Sequence, residues 1–133
     1  MNHVVDRQKT LDQLDPPAWG EPRYSSYLVT TCHQLRRKPI GEFTVEDLRI
    51  MIGQGFALPW LVPLALEVLE PEPLAEGDFY PGDLLVNVLR VPPAFWVEER
   101  ALFTRVSALL ENLSELPREV KEAAVTFRGL KGQ

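Results

Sequence analysis

From Ser25 onward the apolar residues recur at helical spacing. Tyr27, Leu28, Thr31, Cys32 and Leu35 fall three or four residues apart, which predicts a helix ending at Arg36-Arg37-Lys38, just before Pro39. Thr44-Val45-Glu46-Asp47 resembles a capping box, and Leu48, Met51 and Ile52 give the helix it opens one apolar face, closed by Gly53 and Gly55. Pro59 is tolerated in a first turn, so a third helix is expected through Leu61, Leu64, Leu66 and Leu69 until Pro71 and Pro73 stop it. Pro81 opens a short helix through Leu84, Leu85, Val88 and Leu89, and a single turn follows at Pro93 to Trp96. The strongest stripe is Leu102, Val106, Leu109, Leu110 and Leu113, and Pro117 opens a last helix carrying Val120, Ala124 and Phe127 up to Gly129.

No stretch alternates strictly between apolar and polar, and neither Asn-Gly nor Asp-Gly occurs between two such runs to mark a hairpin. The predicted fold class is therefore all-α, a compact single-domain bundle of about five to six short helices over residues 25–129. Residues 1–24 are polar and hold Pro16, Pro17, Gly20 and Pro22. They are expected to form a partly ordered arm that docks through Trp19 and Tyr24.

At 133 residues, 45% hydrophobic and 25% charged, the chain has the composition of one ordinary folded domain. The apolar stretch from Phe56 to Leu66, broken by Pro59 and Pro63, is too short to cross a bilayer and reads as core. The N-terminal residues lack the apolar h-region of a secretory signal, and Cys32 is the single cysteine. The expectation is a cytoplasmic protein with no membrane association.

Charge changes the picture more than composition does. The net charge of −5 disfavours direct nucleic-acid binding. Between Arg49 and Arg90 there is no Lys or Arg, yet Glu67, Glu70, Glu72, Glu76, Asp78 and Asp83 all lie there; this segment carries −6 and the rest of the chain +1. Such segregation steers a basic partner, and these six carboxylates are the candidate protein-binding residues.

Other constellations point to structure more than to chemistry. Cys32 and His33 are adjacent, about 100 degrees apart around a helix, which suits neither a nucleophile nor its base, and Cys32 lies on the apolar stripe. With His3 and His33 as its two histidines, the chain has too few good ligands for structural zinc. Asp78 and Asp83 form a weak candidate acid/base pair, and no GxxxxGK[ST] phosphate loop occurs. Arg36, Arg37 and Lys38 are most simply explained by the negative end of a helix dipole. Trp60, Phe79, Tyr80 and Trp96 read as core or loop anchors, although aromatics beside acidic groups also suit an interface hot spot.

Several segments, taken in order, carry a family resemblance: Trp19-Gly20-Glu21-Pro22, Leu35-Arg36-Arg37-Lys38-Pro39, Phe43 to Arg49, Leu58-Pro59 with Val62 to Leu66, and Asp78 to Leu85. Together they resemble the immunity proteins of contact-dependent growth inhibition systems, over residues 10–92. The resemblance implies a partner, the toxic C-terminal domain of a contact-delivered effector, commonly a nuclease, which the immunity protein binds and blocks. It brings no catalytic residues. The chain is accordingly expected to be a non-enzymatic inhibitor with no cofactor, no metal and no small-molecule substrate. An adaptor or structural subunit is the rival reading, and a small hydrolase using Asp78 or Asp83 the third.

Overall fold

A computed structural model describes residues 6–23 and 26–130 of the chain. Eight α-helices occur among them: α1 (Leu11–Leu14), α2 (Tyr27–Leu35), α3 (Val45–Gly53), α4 (Leu58–Leu69), α5 (Asp83–Leu89), α6 (Pro93–Glu98), α7 (Arg100–Glu111) and α8 (Arg118–Arg128). A 3₁₀ turn, Ile40–Glu42, sits between α2 and α3. The all-α class is as expected, with more helices than the sequence predicts because α1 and α6 are too short to show a period.

Local chemistry fixes the element boundaries. The Thr44 hydroxyl accepts from the Asp47 amide at 3.1 Å while the Asp47 carboxylate accepts from the Thr44 amide at 3.0 Å, completing the capping box that starts α3. At the other end Gly55 adopts φ +77. Its amide donates to Ile52 O and that of Phe56 to Met51 O, the paired bonds of a Schellman motif. That turn directs Phe56 back towards α2, where its ring meets Trp19 edge-on at 4.9 Å.

The core is built around α5. Leu84, Leu85, Val86, Val88 and Leu89 are all buried, so this helix is apolar on nearly every side and is enclosed by its neighbours α3, α4 and α8. Helix α7 packs against α4 and α6. Trp96, Phe103 and Phe127 join α6, α7 and α8 in one aromatic cluster with centroids 4.7 to 6.0 Å apart.

The N-terminal segment is packed onto this core. A second capping box, Thr10 with Gln13, opens α1, and Leu11 is fully buried. The amides of Ile40 and Gly41 donate to Lys9 O and Arg7 O, joining the arm to the 3₁₀ turn. Trp19 docks as expected, between His33 and Phe56; Tyr24 lies outside the described residues.

The basic run Arg36-Arg37-Lys38 requires a correction. These side chains are tethers between segments, and the helix dipole is not their main use. Arg36 is 2% exposed, and its guanidinium donates to Asp12 (2.9 Å), Asp15 (3.3 Å) and the carbonyls of Asp15 (2.7 Å) and Pro17 (3.2 Å). Arg37 donates to Gly20 O and Glu21, and Lys38 to Asp47 of the α3 cap. A buried guanidinium needs acceptors for its N–H groups, and the arm supplies four.

Candidate functional site

The acidic segment runs from the end of α4 through the loop 70–82 into α5. Its six carboxylates do three different things. Glu67 pairs with Arg7, and Glu70 takes both nitrogens of an Arg105 fork at 2.7 and 3.1 Å. The hydrogen bond from Arg105 holds the Glu70 carboxyl below the usual range. Glu72, Glu76 and Asp78 are exposed, with no basic side chain within ion-pair distance among the described residues.

Asp83 belongs to neither group, and here the expectation of a surface carboxylate is corrected. It is 2% exposed and points into the loop. Its carboxylate accepts from the amides of Gly77 (2.7 Å), Phe79 (3.0 Å) and Tyr80 (3.4 Å). A buried carboxylate whose oxygens are taken up by loop amides holds the loop together and presents no free acceptor at the surface.

The remaining amide of the loop tip, that of Asp78, donates to Glu46 Oε1 of α3 at 2.8 Å. Four consecutive amides, from Gly77 to Tyr80, are thereby bound by two carboxylates. The approach is so close that a Cβ on Gly77 would lie 2.5 Å from Glu46 Oε1 and 3.1 Å from Asp83 Oδ2, which only glycine avoids. Gly82 closes the loop: it adopts φ +90 and its amide donates to Leu74 O, beside an isolated antiparallel bridge between Glu76 and Pro81.

Arg49 completes the arrangement. Its guanidinium forks onto Glu46, with Nε donating at 2.7 Å, and lies 3.9 Å from Asp83. The Arg49 hydrogen bond pulls the Glu46 carboxyl down, against the opposing effect of burial, and Glu46 in turn raises Arg49. On its free face the guanidinium stacks under the Phe79 ring, 4.3 Å from the centroid. Phe79 remains 66% exposed at the loop tip, with Glu76 and Asp78 shortly before it in the sequence. Of the aromatics expected as core or loop anchors, Trp96 lies in the core and Phe79 is displayed on the loop.

A second feature lies at the opposite end of α3. Trp19, Leu28, Val29, Cys32, His33 and Phe56 line an apolar groove of about 410 Å³. Cys32 forms part of its wall, and burial pushes that thiol above its ordinary value, away from the reactive thiolate. His33 Nδ1 lies 3.1 Å from the Gly20 carbonyl oxygen, so the two residues act in separate structural roles. Among the described residues no three His, Cys, Asp or Glu side chains converge to hold a metal ion, and no helix is long and apolar enough to cross a membrane.

The helical domain thus holds an acidic loop and an exposed aromatic in one geometry. The chain belongs to the CDI immunity proteins, whose family model matches residues 13–106. The match begins within α1, takes in the rest of the docked arm, the acidic loop and α2 to α6, and ends within α7; α8 lies beyond it. A comparison with curated proteins returns no match. Membership assigns an immunity role, and with it a cognate toxin protein as partner.

Proposed function

We propose that this protein neutralises its toxin by tight one-to-one binding in the cytoplasm of the producing cell, with the acidic segment covering a basic, nucleic-acid-binding cleft on a nuclease domain. The observation that carries this reading is the charge segregation: six carboxylates and no basic residue between Arg49 and Arg90. A nuclease must neutralise phosphates with Lys and Arg, so the surface it offers substrate is also one that an acidic protein occupies well. Inhibition then follows from occupancy and needs no chemistry from the inhibitor.

Of the six carboxylates, Glu72, Glu76 and Asp78 are the outward charges in this proposal. Glu67 and Glu70 flank them, partly neutralised by Arg7 and Arg105, and Asp83 holds the loop from within. Such rim charges act mainly on the encounter rate, which falls with added salt.

The test is co-expression of the toxin domain encoded beside this chain, with and without it, followed by pull-down. Growth rescue together with a stable complex is expected. The triple reversal Glu72→Lys, Glu76→Lys, Asp78→Lys is expected to slow association by at least about ten-fold at low salt and to flatten its salt dependence. Unchanged association and salt dependence would show that the toxin binds elsewhere.

A further inference from the structure

We infer that Phe79 is the anchor of the toxin interface, a rigidly presented aromatic that enters an apolar recess bordered by Lys or Arg on the toxin domain, and that Arg49 is its positioning residue. The inference rests on the acidic segment being the toxin-binding surface.

Isolated apolar residues on a protein surface are ordinary, and Tyr27, Leu28, Val97 and Val125 are also exposed here. Phe79 differs in how it is held. The backbone that carries it has four successive amides bound by Asp83 and Glu46, and its ring rests on a guanidinium that is itself forked onto Glu46. A side chain with two rotatable bonds on such a backbone has little conformational entropy left to lose on binding. A loop used only as a connection has no need for that degree of fixation.

The local charge identifies the kind of surface that receives the ring. Arg49 is matched by Glu46 and Asp83, and Glu76 and Asp78 add two outward negative charges, so the ring stands in a net field of −3 despite the cation beneath it. An apolar centre with a charged rim is the anatomy of a hot spot, and its complement is an apolar recess with a basic rim. Carboxylates and ring then have separable duties: the former set the encounter rate and the latter the lifetime of the complex.

The experiment is surface-based kinetics of the full chain against the toxin domain encoded beside it. The variants are Phe79→Ala, Arg49→Lys and the double neutralisation Glu76→Gln, Asp78→Asn, and each thermal midpoint is recorded as a check on folding. Phe79→Ala is expected to accelerate dissociation by about 30-fold or more, with association changed less than about three-fold and the midpoint unmoved. Arg49→Lys, which keeps the charge but loses the planar stack and fork, is expected to accelerate dissociation in the same sense by a smaller factor, about five-fold. The double neutralisation is expected to act mostly on association. Dissociation of the Phe79→Ala complex within about two-fold of the parent would overturn the inference and leave the immunity reading intact. Absence of any complex with the parent chain would remove both.

Discussion

The arm at residues 6–23 and the loop at 70–82 are built from the same two devices with opposite results. Each is gathered around one buried ion. Arg36 collects the carbonyls of Asp15 and Pro17 along with two carboxylates; Asp83 collects the amides of Gly77, Phe79 and Tyr80. Each also stacks an aromatic ring on a guanidinium, Trp19 on Arg36 at 4.7 Å and Phe79 on Arg49 at 4.3 Å. In the arm the ring turns inward, between His33 and Phe56, and closes the segment onto the domain. In the loop it turns outward. Irregular backbone can thus be ordered either to complete a core or to display a side chain, and the direction of the aromatic distinguishes the two.

The largest expected effect comes from removing the loop's ion. Asp83→Ala leaves three amides without acceptors and Arg49 with one carboxylate fewer, and should destabilise the protein by about 3 to 5 kcal/mol. The thermal midpoint, read by circular dichroism, should fall by more than about 10 °C, with toxin binding impaired beyond the stability loss. A fall of only a few degrees would mean that the loop is not held through Asp83.

Arg36→Met should cost somewhat less, about 2 to 3 kcal/mol, because Asp15 is 41% exposed and recovers water when its partner leaves. The comparison predicts that this variant loses stability but keeps the parent's toxin dissociation rate when assayed well below its midpoint. A faster dissociation would place the arm in the interface.

The smallest effect is acidic. Glu46 has a lowered pKa, held down first by the Arg49 hydrogen bond, so its contribution to stability is complete above the ordinary Glu value of about 4.3 and is lost as pH falls through the lower folded value. Nuclear magnetic resonance of the Asp78 amide, which donates to Glu46, should show a change with a midpoint below the ordinary Glu value. A midpoint above the ordinary Glu value would contradict the pairing.

Much of the fold was legible because it depends on short-range patterns. The Thr44 capping box, the stripe of α7 and the Pro117 and Gly129 limits of α8 each involve residues within a few positions of one another. Helix α1 was not legible, since four residues with Leu11 and Leu14 at their ends make a single turn and carry no repeat. Arg36 was misread for a related reason: its partners lie 19 to 24 residues away, and a local view of a helix end shows only the dipole. The candidate site was legible in its charge and not in its geometry. An acidic loop looks uniformly solvated from composition, although Asp83 directly after Pro81-Gly82, within six residues of Gly77, was a signal for a carboxylate that folds back onto loop amides. Nothing local showed that Phe79 would stand outside while Trp96 went inside.

The most direct test of the toxin-blocking surface is hydrogen–deuterium exchange of the full chain, free and in complex with its toxin domain. The expected footprint is slowed exchange across the 70–82 loop and the neighbouring first turn of α3, with the groove around Trp19, Leu28 and Phe56 exchanging as in the free protein. Protection confined to that groove, with the acidic loop unaffected, would contradict the assignment and move the interface to the other end of α3.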